Sequence, residues 1–139
     1  MKPVLLSILI LAGMPALADP MGLDRVNALR DVKGLQPLSY DSRLEQAAKD
    51  HARDMATHDY FSHQGRDGTD VGRRAAVAGY EWCFVAENIA KGQQSLDEVM
   101  TGWTNSPGHY RNMVDSRAEE MGLVRTDSEV WVMVLGAPC

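Results

Sequence analysis

Cysteine is scarce in this chain, with two residues in 139. That is too few for a disulfide-framework miniprotein or a four-thiolate zinc knuckle. Basic charge is scarce as well, at 14 Lys and Arg against 19 Asp and Glu, a formal net charge of −5. Binding to a phosphate backbone draws its affinity from Lys and Arg, so nucleic acid is excluded as a partner. Several chemical signatures are missing. There is no Gly-x-Ser-x-Gly elbow, no phosphate-cradling loop ending in Gly-Lys, no dinucleotide fingerprint, no Cys-x-x-Cys and no His-Glu-x-x-His. No repeat, low-complexity stretch or linker divides the chain. What is present, 45% hydrophobic and 24% charged residues, is ordinary for one globular domain and sets general disorder aside.

An uncharged apolar run, Val4 to Leu11, follows Lys2 and precedes Pro15 and the small-x-small site Ala16-Leu17-Ala18. This is the pattern of a cleaved signal peptide. The run is shorter than the roughly 20 residues of a membrane span. Residues 1–18 are therefore expected to be removed, leaving a domain over residues 19–139 that is secreted or periplasmic, without a transmembrane anchor. In an oxidising compartment Cys83 and Cys139 have one possible intramolecular pairing. A catalytic thiol needs a neighbouring base, and a chain's last residue is a poor place for one, so a structural disulfide is expected.

Asp19-Pro20 reads as an N-cap and first helical proline, with Gly34 closing that helix. Ser42 and Glu45 read as a capping box before the stripe Leu44, Ala47, Ala48, His51, Ala52 and Met55. Shorter helices are expected from Asp70 to Ala78 and from a Ser95/Glu98 cap through Trp103, the latter ended by Pro107-Gly108. Phe84 to Ile89 reads as a strand, and Met121 to Arg125 with Val130 to Leu135 as a terminal hairpin. The last strand is apolar on both faces and so is expected to be central and covered. Helices early and strands late predict an α+β fold, with helices covering a small antiparallel sheet.

Within this frame His63, Glu87 and His109 are the conspicuous residues. His63 and His109 each follow an expected helix, and Glu87 is a carboxylate in the apolar run Ala86-Glu87-Asn88-Ile89. Burying it requires a cationic or hydrogen-bonding partner. His51, on the apolar stripe, reads as a core histidine behind the site. His58 suits a helix C-terminus. Met100 and Trp103 read as core, and Arg73-Arg74 and Glu119-Glu120 as solvated faces.

These residues carry a family resemblance. Asn27 and Arg30, Gly34-Leu35, Ala47-Ala48, His51-Ala52, Phe61-Ser62-His63, Gly79-Tyr80, Ala86-Glu87-Asn88-Ile89, Trp103, Ser106-Pro107-Gly108-His109, Asn112-Met113, Met121-Gly122 and Trp131-Val132 occur in order. Together they resemble the CAP superfamily of cysteine-rich secretory, antigen-five and pathogenesis-related proteins, in its compact bacterial form. The resemblance covers about Leu23 to Gly136 and implies an α-β-α sandwich. It also implies a cleft of two histidines and two glutamates, often able to hold a divalent metal. His63, Glu87 and His109 match three of those positions, supported by His51, Asn88 and Ser106. Where the second glutamate is expected, the chain has Asn105 or Ser106. Two His and one Glu still satisfy an open three-ligand zinc site, weakly; a charge-paired cluster ordering the loops is the other reading.

Three functions remain in view. The favoured one is a non-enzymatic, monomeric binding module whose cleft takes a small apolar ligand, lipid, peptide or partner. The others are a metal-assisted hydrolase and an extracellular structural domain without chemistry. The expectation of a non-enzyme rests on the lost carboxylate and on no nucleophile standing beside a base, and no catalytic residue is assigned.

Overall fold

The computed structural model describes residues 20–139, so the expected signal segment, residues 1–18, lies outside the described part. The elements run α1 (Leu23–Val32), β1 (Ser39–Tyr40), α2 (Ser42–His58), α3 (Val71–Val77), β2 (Trp82–Lys91), α4 (Leu96–Thr104), α5 (Pro107–Met113), β3 (Glu120–Arg125) and β4 (Val130–Pro138). The sheet order is β1-β3-β4-β2, so β4 is an inner strand with antiparallel neighbours on both sides.

Alternation along β4 builds the two cores, because successive side chains of a strand point to opposite faces. Val130, Val132 and Val134 join Leu44, Ala48, Ala52 and Met55 of α2 and Ala75 of α3. Trp131, Met133 and Leu135 join Val26 of α1, Val99 and Trp103 of α4 and Met113 of α5. The result is an α-β-α sandwich, in agreement with the expected fold class. The β4 expectation holds for the reason given: an apolar side chain on either face needs cover, and every residue from Val130 to Ala137 is buried.

Local chemistry moves several boundaries. Helix α1 starts at Leu23 behind Gly22, which has φ 76° and no side-chain cap; Pro20 precedes it, and the expected cap Asp19 lies outside the described residues. The cap of α2 is Asp41, which accepts from the Arg43 and Leu44 amides, so Ser42 is already helical. Pro107-Gly108 does not end α4 but opens α5, with Pro107 at its first position after Ser106. A missing N–H costs nothing there. The two-residue β1, absent from the sequence reading, pairs parallel with β3.

Two buried features tie the layers together. The Arg30 guanidinium donates to four carbonyls, those of Gln36, Met113, Asp115 and Ala118, pinning α1 to the end of α5. At Gly122 of β3 a Cβ would stand 2.2 Å from the Glu45 backbone nitrogen, so only glycine lets α2 lie this close to the sheet. The Cys83–Cys139 disulfide forms, with Cα atoms 4.8 Å apart, and joins the start of β2 to the residue after β4. On its unpaired side β2 meets side chains: Asn112 Nδ2 donates to the Glu87 carbonyl at 3.3 Å and Trp103 Nε1 to the Ile89 carbonyl at 3.2 Å.

Candidate functional site

Period-two alternation along β2 sends Glu87 to the face of α2 and α3 and Asn88 to the face of α5. Glu87 is 6% exposed. The Nδ1–H of His63 donates to its Oε1 at 2.8 Å, and Arg74 Nη2 donates to its Oε2 at 2.8 Å. His51 Nε2 lies 3.9 Å from Oε1, but its N–H is given to the Ser62 carbonyl at 2.7 Å. Arg74 also donates to the carbonyls of Thr69 and His63. One guanidinium thus binds the buried carboxylate and the loop that carries His63.

Arg74 corrects the sequence reading. The sequence places it on a solvated face with Arg73, yet its side chain is only 9% exposed. The signal lies in Glu87's need for a cation. On the short helix α3, Arg74 lies next to buried Ala75 and three residues after the half-buried Val71, on the inward side, whereas Arg73 is exposed.

On the other face Asn88 Nδ2 donates to the His109 carbonyl at 3.0 Å, and Asn112 Nδ2 donates to Asn88 Oδ1 at 2.9 Å. The same pair fixes the start of α5 against β2. His109 Nδ1 shares a hydrogen bond of 2.8 Å with Ser106 Oγ, the residue that precedes α5. A hydroxyl therefore does stand beside an imidazole, contrary to the sequence reading. Asn105, a candidate there for the missing glutamate's place, is an exposed residue at the end of α4.

His63 and Glu87 meet directly, while His109 makes its side-chain hydrogen bond to Ser106 and none to either of them among the described residues. A charge on His63 adds to burial in lowering the His109 pKa. The Glu87 hydrogen bond raises that of His63, and burial lowers that of His51. Two cavities open here. One of about 510 Å³ is lined by His109, Ser106, Trp103 and Phe61. The other, of about 410 Å³, is lined by His63, Glu87, Gln64 and Asp70.

The donor set does not fit a metal ion in this arrangement. Both Glu87 oxygens are taken, one by a guanidinium, and no three His, Cys, Asp or Glu side chains among the described residues are grouped within reach of one ion. Nor is any helix among them long and apolar enough to cross a membrane.

Comparison with known proteins bears on this geometry. The family described as CAP, Cysteine-rich secretory protein family, matches residues 23–135. The uncharacterized protein YkwD of Bacillus subtilis is 32% identical over 110 residues, covering 78% of this chain and 43% of that protein. Among solved structures, an extracellular SCP-domain protein from Bacillus anthracis superposes with a TM-score of 0.79 at 25% identity, over 82% of this chain and 38% of that one. An outer surface protein of Borrelia burgdorferi gives a TM-score of 0.77 at 25% identity, over 84% of this chain and 90% of that one. The chain spans less than half the length of the curated relatives it matches.

Proposed function

The chain belongs to the CAP, or cysteine-rich secretory protein, family, and from that premise we propose that it is an exported binding module, not an enzyme, whose cleft along β2 takes a small apolar ligand or peptide. The observation that carries this reading is the state of Glu87. A general base must reach the proton it removes. Here the carboxylate is 6% exposed and each oxygen already accepts a hydrogen bond, from His63 and from the buried Arg74. The carboxylate then serves to order the His63 loop beside two ligand-sized cavities. The apolar lining of the larger one by Ile89, Val99 and Trp103 supports the class of ligand.

Export rests on Lys2, the Val4–Leu11 run and the Ala16-x-Ala18 site, with cleavage before Asp19. Intact mass of the exported protein tests it, since a mature species retaining residues 1–18 would refute the cleavage. For the ligand, mass spectrometry of protein purified from periplasm or medium should find an apolar compound that is absent after Trp103→Ala, if that variant folds, or after Gly102→Phe. A purified protein with no such compound, and none acquired from an extract, would count against the module.

Zinc affinity is expected to be weak, because a metal shared by His63 and Glu87 would have to replace the hydrogen bond between them, and no third His, Cys, Asp or Glu among the described residues is grouped with them. Titration calorimetry showing tight zinc binding that disappears in both His63→Ala and His109→Ala would overturn this. A second reading, hydrolysis, is favoured by one contact, the Ser106–His109 pair. Among the described residues no carboxylate bonds to its imidazole, a role filled in catalytic triads by an acidic residue. Ester turnover lost in Ser106→Ala would establish it.

A further inference from the structure

A cavity of about 720 Å³ opens at the border of the sheet opposite β2. Leu123 and Val124, neighbours on β3, both line it. Leu123 belongs to the core with α1 and α4, and Val124 packs on the core with α2. Successive side chains of a strand point to opposite faces, so a cavity reached by both sits at the strand's edge. That edge is only partly covered. β1 pairs with Glu120 and Met121 alone. One step on, the Tyr40 hydroxyl accepts from the Leu123 N–H at 3.3 Å while donating to Glu45. Backbone groups along an antiparallel strand face its two sides in turn, so the next outward N–H and C=O are those of Arg125. No strand stands opposite them among the described residues. The walls are basic. Lys49 and Arg53, one turn apart on α2, line the cavity and form no ion pair among the described residues. Arg125 has its nearest carboxylate, on Glu129, 3.8 Å away. Against these cations stand Glu45, already held by Tyr40, and Asp127. The lining is thus net positive in a chain whose formal charge is −5.

We propose that this edge groove docks a short acidic segment of a partner protein in extended conformation. One residue of the segment exchanges hydrogen bonds with the Arg125 backbone, and its carboxylates face Lys49, Arg53 and Arg125. The site is separate from the cleft along β2 and stands or falls without it. An outward N–H and C=O on one residue call for an acceptor and a donor side by side, which an extended peptide supplies. A fatty carboxylate offers acceptors alone and would leave the Arg125 carbonyl unanswered. Charge complementarity sets the sign of the segment. Between the cations the helix wall is Ala52 and Ala56, whose short side chains leave room for those of the segment against Val124. Affinity comes from the charges and this apolar wall. The single free rung at Arg125 fixes register, and one rung is too little to seat another sheet.

The test is fluorescence anisotropy on the exported protein at low salt. The probes are labelled Glu-Val-Glu-Val-Glu-Val, its Lys-Val-Lys-Val-Lys-Val counterpart, and the acidic peptide N-methylated at every residue. The acidic peptide should bind, the basic one should not, and the methylated one should bind about tenfold more weakly. Arg53→Glu should weaken the acidic peptide by about tenfold. Arg73→Glu makes the same charge change at an exposed position of α3 outside the lining and should bind nearly as the parent does. Arg125→Thr removes a cation and keeps the N–H. Arg125→Pro removes both and should bind more weakly still, proline being tolerated where an edge strand's N–H faces outward. Urea unfolding checks that each variant is folded. Binding unchanged in Arg53→Glu would overturn the proposal. So would equal affinities for Arg125→Thr and Arg125→Pro together with full binding of the methylated peptide, the behaviour of a merely charged surface. No binding of the acidic peptide would overturn it as well, whether or not labelled dodecanoate binds and is lost in Arg53→Glu.

Discussion

Replacing Arg74 by Met tests the arrangement at its hub. The guanidinium and the Glu87 carboxylate are 2.8 Å apart with side chains 9% and 2% exposed. Removing one member of a buried pair leaves an uncompensated charge and costs about 3–5 kcal/mol. Two adjustments act in opposite directions. His63 still donates to Oε1 at 2.8 Å, which keeps the carboxylate partly satisfied. Arg74→Met also frees the Thr69 and His63 carbonyls, but the latter contact is exposed and water can replace the donor. The expected loss is therefore near the lower bound, about 3 kcal/mol. Urea unfolding at pH 7 measures it, provided the slope of stability against denaturant is unchanged. Adding Glu87→Gln removes the stranded charge. The double variant should be more stable than the sum of the single losses by about 2 kcal/mol. A single loss below about 1 kcal/mol, or strict additivity in the cycle, would show that the pair is not what holds the carboxylate in the core.

Other perturbations read other parts of the structure. The His63 pKa is raised by its bond to Glu87, so that bond contributes stability fully present below the ordinary histidine value of about 6.5 and lost as pH rises through the higher folded value. The stability gap between parent and His63→Ala, followed by thermal unfolding, should be wide at acid pH and narrow above neutrality; a gap independent of pH would contradict it. Serine at both Cys83 and Cys139 should cost about 2–4 kcal/mol in denaturant unfolding, since the bond closes a separation of 56 residues. An unchanged midpoint would show that the bond does not constrain the unfolded chain. Gly122→Ala drives a methyl group into the backbone of α2 and should cost about 3 kcal/mol, the upper range for overpacking. A variant as stable as the parent would mean that α2 can lift from β3 freely.

The layers were legible because their signals are periodic. The stripe from Leu44 to Met55 and the doubly apolar Val130–Leu135 each have one solution in a sandwich, and both take it. Punctuation was less legible, because the same residues serve opposite purposes. Pro107-Gly108 stops one helix in a simple reading, but a proline is equally at home in a first turn, and α5 uses it so. Asp41 outcompeted Ser42 as a cap through its carboxylate, which reaches two amides. β1 is two residues long and exists through tertiary pairing, so no local pattern announces it. At the site, the demand of Glu87 for a partner was readable and the partner's identity was not. Arginine is an exposed residue in most settings, and only the placement of α3 against β2 turns Arg74 inward.

The side-chain bonds along the outside of β2 have a consequence for behaviour in a crowded compartment. Among the described residues β2 has no strand neighbour on one side, and a ten-residue edge of this kind is a template on which an identical strand of another molecule can pair, the first step toward fibres. Barrels remove that hazard by closing on themselves; this sheet is open. Here an asparagine amide and an indole occupy two successive outward acceptors, at Glu87 and Ile89, and the opposite border is reduced to the two residues of β1. A second chain would find the ladder's rungs already taken at one border and too few at the other. Asn112 and Trp103 thus guard colloidal stability as well as local architecture, and their loss should appear first as thioflavin-positive aggregation at concentrations where the parent stays dispersed.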